Sequence, residues 1–175
     1  MSTDTKQETL ENSELINWVI FSELLLMDED EEGFAQSLIT TFVEQALGIF
    51  KEMDELLSKS SEKNDANLTK LSNLGHYLKG SAAALGLHKI QEECERIQNY
   101  GAKISDGFEQ SEAAKNVQDW FDCCANALTE AKKYFKESGN LLSDYFDEDF
   151  FATSDEPDAE KDTEEPEEAK PEAQS

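Results

Sequence analysis

The chain has 175 residues and a formal charge of −25 at pH 7, from 40 acidic and 15 basic residues. That length is enough for one domain with a sizeable core, while the charge argues against nucleic acid and anionic membrane surfaces as partners because both would repel it. No apolar run approaches the roughly 20 residues of a membrane-spanning helix, and the three cysteines lack the spacing of a zinc site or a disulfide framework. We therefore expect free thiols in a reducing compartment and place the protein in the cytoplasm and nucleus.

The two ends of the chain differ in composition from its middle. Residues 1–12 are polar, and we expect them to be disordered. Residues 147–175 hold thirteen acids, two lysines and all three prolines, without an apolar period. This composition is typical of a disordered acidic tail. The folded domain is therefore predicted to span residues 13–146.

The first two predicted helices cover about 13–27 and about 32–58. Ser13 is the expected N-cap of the first, which carries two apolar stripes on opposite sides. Such a helix is either buried all round, or packs one stripe on the core and presents the other to a partner. The stripes consist of Leu15, Trp18, Phe21 and Leu25, and of Ile16, Ile20, Leu24 and Met27.

Three further helices are predicted at about 67–85, 88–105 and from Ser111 onward. Gly86 suits the C-cap of the third helix, and Gly139-Asn140 is a candidate stop for the fifth, with 141–146 as a short further turn. Long amphipathic helices with few turn signals predict an all-α fold. We expect an antiparallel four-helix bundle with the first helix packed across it.

His76 faces away from the apolar side of the third helix. Taking about 100° per residue from Leu74, it lies near 200°, while the apolar residues gather between about 0° and 80°. Lys79 follows one turn later, and Gly80 and Ala83 leave the helix surface bare beside the ring. Gly75 and Gly80 each cost roughly 1 kcal/mol against Ala in a helix, so helix stability does not explain them. The plain alternative is an ordinary surface histidine.

The chemistry open to such a histidine is nucleophilic. The unprotonated nitrogen of an exposed imidazole can take up a phosphoryl group and pass it on. The second histidine, His88, is twelve residues away and is expected to be a solvated residue at a helix start. That spacing disfavours a metal site, and no Gly-Lys-Ser phosphate loop or kinase signature indicates an ATP site.

Residues 74–87, Leu-Gly-His-Tyr-Leu-Lys-Gly-Ser-Ala-Ala-Ala-Leu-Gly-Leu, resemble the histidine-containing phosphotransfer (HPt) motif His-x-x-Lys-Gly-x-x-x-x-x-Gly. Residues 94–99 and 16–28 are similar to the single-domain fungal members, the phosphorelay intermediates of osmotic-stress signalling. The resemblance covers about residues 14–146 and leaves the acidic tail unexplained.

This resemblance implies that His76 accepts a phosphoryl group from a receiver domain of a hybrid sensor histidine kinase. His76 would then pass the group to the receiver domain of a response regulator. Lys79 would offset the phosphoryl charge, Gly80 would give the receiver room, and Gln98 would hydrogen-bond at the histidine. Magnesium would sit on the receiver, so the chain itself is expected to need no metal, no cofactor and no ATP site, and to act as a monomer.

The family also implies an apolar docking surface for receivers on the first two helices. For Phe34 and Leu38 the alternative is plain core, and it is favoured for Phe34. The predicted partner-binding residues are Ile20, Leu24, Met27, Phe34, Leu38 and Ala83.

Two other functions compete with phosphotransfer. One is an acidic helical adaptor that binds receiver-like partners without a covalent step. The other is a calcium buffer, which is disfavoured because the acids at 28–32 lack the glycine and the alternating ligand order of a calcium loop.

Overall fold

The computed structural model describes residues 3–151, and these are helical without a strand, which confirms the all-α fold. None of the helices in this range is long and apolar enough to span a membrane. The helices are α1 (Thr3–Glu11), α2 (Trp18–Asp30), α3 (Phe34–Leu57), α4 (Asp65–Ala84), α5 (His88–Gly101), α6 (Glu109–Glu112) and α7 (Val117–Phe146).

The four long helices α3, α4, α5 and α7 form the predicted bundle around one apolar core. The most extensive contact joins α4 to α5, and α7 packs mainly on α5. Each helix contributes fully buried side chains, and their burial is the main favourable term in the stability of such a fold. Examples are Ile39, Met53, Leu71, Leu78, Ile90, Ile97 and Phe121.

Two glycines let the backbones of α4 and α5 approach closely. A Cβ on Gly75 would lie 2.8 Å from the carbonyl oxygen of Cys94, and one on Gly101 would lie 2.6 Å from that of Leu68. Between these points the Ser72 hydroxyl donates a hydrogen bond of 2.8 Å to the carbonyl of Gln98. The register of α4 against α5 is therefore fixed from Leu68 to Gly75.

Helix α2, which was predicted to begin at Ser13, begins at Trp18. Asn17 is its N-cap, with its side-chain oxygen accepting from the Ile20 N–H at 3.4 Å, whereas the Ser13 hydroxyl accepts from the Leu15 N–H in a local turn. The backbone N–H of Asn17 donates to the carbonyl of Gly86 at 2.6 Å. The start of α2 is thus attached to the end of α4.

The prediction of a disordered N-terminus is wrong for the described residues, because Thr3–Glu11 form α1. One apolar side chain anchors this helix: Leu10 is 0 % exposed, and α1 packs on α7. A single buried leucine in a polar sequence produces no periodicity, so the pattern gave no sign of a helix.

The domain also extends beyond the predicted boundary at residue 146. Phe150 is 4 % exposed, and the ring of Phe151 packs on Phe135 with centroids 5.5 Å apart. Asp147 takes a left-handed conformation (φ 59°) that turns the chain back onto α7. The rest of the predicted tail, residues 152–175, lies outside the described residues.

Two helix ends differ from the sequence prediction. The fourth predicted helix ends at Gly101 rather than Ser105, which leaves Ile104 exposed. The last long helix is not interrupted at Gly139-Asn140, because Gly139 is a packing position: a Cβ there would collide with the ring of Phe151.

Candidate functional site

His76 lies on the exposed face of α4, as the helical pattern predicted. Its neighbour Gly75 is buried against the backbone of α5, so the α4–α5 packing itself turns the next residue outward. The ring of His76 makes no hydrogen bond or ion pair with the residues that the structure describes. The imidazole is therefore free to meet an atom brought by a partner.

Lys79 and Gly80 complete the immediate surroundings on α4. Lys79 is partly exposed and forms no ion pair within the described part of the chain, so its charge is available to an anion beside His76. A Cβ built on Gly80 would meet nothing within 4 Å, which leaves the helix surface open. Ala83, one turn further, is half-buried and small.

The two glycines next to His76 therefore have different roles. Gly80 clears the surface beside the ring, as the sequence predicted. Gly75 serves packing instead, since an added Cβ would lie 2.8 Å from the Cys94 oxygen and 2.9 Å from the Gln98 nitrogen. Helical spacing places Gly75 at about 100°, next to the apolar side, and Gly80 at about 240°, next to His76, but the close approach of the α5 backbone is a tertiary contact that spacing does not reveal.

Gln98 of α5 lies against this part of α4. Its side chain is half-buried, and its Oε1 is buried without a hydrogen-bond partner among the described residues. An unsatisfied buried acceptor costs roughly 1–3 kcal/mol, and a nearby N–H donor such as an imidazole N–H would relieve that cost. Because no hydrogen bond joins Gln98 to His76 among the described residues, the predicted hydrogen bond at the histidine stays a prediction.

The exposed face of α2 carries large apolar side chains next to the exposed Glu23, and these apolar side chains are not the ones of the predicted stripe alone. Met27 is 53 % exposed as expected, but Val19 and Leu26, which the stripe omitted, are exposed by 71 % and 63 %. Ile20 and Leu24 are half-buried, and Leu24 packs partly on the core. Because the Ile20 Cβ lies only 3.4 Å from where a Gly86 Cβ would stand, this face adjoins the end of α4.

Phe34 and Leu38, at the start of α3, are both half-buried, and Leu38 packs against the core cluster. Neither is therefore plain core or a fully exposed contact. Asp28, which lies in the last turn of α2 rather than in the predicted turn, accepts a hydrogen bond of 3.1 Å from the Ala35 N–H and so satisfies one of the free N–H groups at the start of α3. The role of Phe34 and Leu38 in docking stays a prediction.

Charge is distributed unevenly around His76, and the sequence analysis did not use this signal. No aspartate or glutamate occurs from Ala66 to Gln91, although the chain holds 40 of them. Lys70, Lys79 and Lys89 lie within that segment. The histidine therefore occupies an acid-free strip on an otherwise acidic surface, where a negatively charged group is least repelled.

The second histidine does not join the site. The His88 ring is hydrogen-bonded to the backbone carbonyl of Glu14 and lies 3.8 Å from the Glu92 carboxylate, so it is not the freely solvated residue predicted. It fastens the segment before α2 to α5. Among the described residues no three His, Cys, Asp or Glu side chains are grouped for a metal ion.

A polar network stabilises the C-terminal end of α5. The Tyr100 hydroxyl donates to the Asp106 carboxylate at 2.7 Å, and Arg96 bridges Tyr100 and Glu93 at 2.9 Å each. Burial and the hydrogen bond to Asp106 raise the pKa of Tyr100 to about 12. Burial alone would raise the pKa of Asp106, but hydrogen bonds from Tyr100 and Ser111 outweigh it and the pKa is lowered. The network therefore holds the helix that carries Gln98.

The fold is an all-α bundle with His76 exposed on α4. The model of the Hpt domain family matches residues 37–134, and the chain belongs to this family. The family suggested by the sequence motif is thus confirmed.

The individual relatives are fungal. The phosphorelay intermediate protein YPD1 of Candida albicans is 54 % identical over 105 residues, which cover 60 % of this chain and 53 % of that protein. The multistep phosphorelay regulator 1 of Schizosaccharomyces pombe is 34 % identical over 143 residues, 81 % of this chain and 46 % of the regulator. The chain thus spans about half the length of the curated relatives it matches.

The matches with solved structures cover a larger share of the related chain than the matches with the curated relatives do. The Saccharomyces cerevisiae histidine phosphotransfer signaling protein Ypd1, crystallised with the receiver domain of its downstream response regulator Ssk1, matches with a TM-score of 0.68 and 37 % identity. That match covers 78 % of this chain and 97 % of Ypd1. The maize protein ZmHP2, at 21 % identity and a TM-score of 0.65, shares the fold.

Proposed function

We propose that this chain is a phosphorelay intermediate. His76 accepts a phosphoryl group from the aspartyl phosphate of a hybrid sensor histidine kinase receiver domain and passes it to the aspartate of a response-regulator receiver domain. The observation that carries the proposal is an exposed imidazole on a cleared, acid-free helix face in a chain of the Hpt domain family. The crystal complex of Ypd1 with a receiver domain supports it.

The transfer is a substitution at phosphorus. The unprotonated ring nitrogen of His76 attacks, the N–P bond forms, the bond from phosphorus to the aspartyl oxygen breaks, and the carboxylate leaves with the electron pair. The other ring nitrogen keeps its proton, and Gln98 Oε1 accepts a hydrogen bond from it. The Lys79 ammonium offsets charge on the phosphoryl oxygens, and the second receiver reverses the sequence.

Most of the remaining chemistry belongs to the partner in this proposal. The receiver supplies the aspartate and the magnesium ion, while this chain binds no ATP, metal or cofactor and acts as a monomer in the cytoplasm and nucleus. Its contribution is to hold the nucleophile in reach and in the right orientation. Positioning and charge compensation account for most of the catalysis of phosphoryl transfer.

The test is phosphate acceptance from a phosphorylated receiver domain, with the protein-bound phosphate examined for acid lability and base stability. We expect the intact chain and H88Q to become labelled and H76Q to remain unlabelled, with unchanged circular dichroism. The chain has only two histidines, so H88Q is the matched control. Receiver binding without any phosphohistidine would favour the adaptor function instead.

A further inference from the structure

A groove of about 450 Å³ runs between α3 and α4 beside His76. Leu56 and Leu74 form its apolar floor, Glu52 and Glu55 stand on the α3 wall, and Lys70 and Asn73 on the α4 wall. Leu74 precedes His76 by two residues, so the groove begins about 3 Å from His76 along the helix axis. It lies on the opposite side of His76 from the end of α4 that contacts α2.

The charged side chains of this groove form no ion pair within the described residues. Glu52 and Glu55 are exposed and form no ion pair there, and neither does Lys70. The neighbouring Asp54, by contrast, is paired with Lys132 at 2.7 Å. The carboxylates of Glu52 and Glu55 thus remain available to a partner, on the wall farther from His76.

We propose that this groove is a second contact site for the receiver domain and that it helps to select among receivers. It takes a basic side chain of the receiver against Glu52 and Glu55, with a neighbouring apolar side chain over Leu56 and Leu74. The inference rests on the proposed function. It adds a docking contact to the transfer site and assigns that contact to residues outside the apolar face of α2.

A protein–protein interface of ordinary size that is centred on His76 is wide enough to reach the groove. A standard interface buries about 800 Å² on each partner, which is a patch roughly 30 Å across. A patch of that size centred on His76 extends about 15 Å each way, and Lys70 is six residues, or about 9 Å, from His76 along α4. A receiver centred on His76 would therefore reach along α4 as far as the groove.

The distribution of charge around His76 indicates which charged groups of a receiver would bind here. The acid-free strip from Ala66 to Gln91 suits the acidic centre of a receiver, where its phosphorylated aspartate lies. Carboxylates return at Glu52 and Glu55, beside the strip, and there a basic group on the rim of the partner is attracted. A partner with a negative centre and a positive rim matches both, and rim charges of this kind act on specificity and on the rate of association.

The test measures phosphoryl transfer from a phosphorylated receiver domain at increasing receiver concentration, with the full chain and two double variants. In E52Q/E55Q we expect the half-saturating receiver concentration to rise about fivefold, while the rate at saturation stays within twofold. The control, E137Q/E148Q, removes the same charge from exposed positions on and just beyond α7, outside the groove, and is expected to change neither value by more than twofold.

Each outcome decides the matter. An unchanged or lowered half-saturating concentration in E52Q/E55Q overturns the inference, because relief of general charge repulsion between acidic proteins would lower it. An equal rise in the control also overturns it, since the effect would then be one of net charge. If the wild-type chain accepts no phosphate, the proposed function fails instead. Circular dichroism of both variants excludes unfolding as the cause.

Discussion

Gly75 and Gly80 flank His76 on one helix, yet alanine at these two positions should change stability in opposite directions. Alanine is about 1 kcal/mol more favourable than glycine in a helix, and both variants gain that amount. At Gly80 nothing opposes the gain, because a new Cβ meets no atom within 4 Å. We therefore expect G80A to raise the free energy of unfolding by up to about 1 kcal/mol.

At Gly75 the same Cβ would lie 2.8 Å from the Cys94 oxygen and 2.9 Å from the Gln98 nitrogen. Both are backbone atoms of α5, so neither can move aside as a flexible side chain would. Overpacking of this kind costs about 1–3 kcal/mol, and rigid neighbours favour the upper end. After the helix gain is subtracted, we expect G75A to lose about 1–2 kcal/mol.

The assay is urea unfolding followed by helical circular dichroism. A difference of about 2–3 kcal/mol between the variants corresponds to midpoints about 1–1.5 M apart for a slope near 2 kcal/mol/M. G75A should unfold below the wild type and G80A above it, with equal slopes. If G75A is as stable as G80A, the close α4–α5 contact does not position His76 as described.

The remaining predictions concern the site, the thiols and the loop after α5. K79Q should keep the fold and slow phosphate acceptance about tenfold, because the phosphoryl charge is no longer offset; a rate within twofold of the wild type would remove this role from Lys79. Burial raises the pKa of Cys94 and Cys124 to about 12, and it also raises the pKa of Cys123. All three thiols should therefore resist iodoacetamide at pH 8 until the protein is unfolded, and rapid alkylation of the native protein would contradict their burial. The pKa of Asp106 is lowered in the fold, so its carboxylate stabilises the protein above its unfolded pKa and loses that effect as the pH falls through the folded value. D106N should therefore be less stable than the wild type at pH 7, with a difference that shrinks on acidification; a difference independent of pH would show that ionisation of Asp106 plays no part.

Local sequence patterns predicted the parts of the structure that depend on local rules. The outward direction of His76 follows from helical spacing, because the apolar residues of α4 lie on the opposite side. The bundle follows from long amphipathic segments joined by short connections. The resemblance of residues 74–87 implied roles for Lys79 and Gly80 beside the histidine, that of residues 94–99 implied one for Gln98, and the structure brings α5 against α4 at Gln98.

The misses depend on tertiary contacts that leave little trace in the pattern. Leu10, Phe150 and Phe151 are isolated apolar residues in polar or acidic stretches, and only the end of α7 gives them a surface to pack on. Ser13 is as good a cap by residue type as Asn17, but the contact of Asn17 with Gly86 decides where α2 begins. Phe151 likewise explains Gly139, which in isolation favoured a helix stop.

The most direct test of the central claim is a complete relay between two receiver domains. One receiver is phosphorylated, freed of its kinase and nucleotide, and mixed with a second receiver in the presence or absence of the chain. The account predicts that phosphate reaches the second receiver only when the chain is present, through a transient acid-labile phosphate on the chain, and that H76Q abolishes the relay while H88Q sustains it. Transfer that proceeds equally well with H76Q would contradict the role of His76 as the carrier.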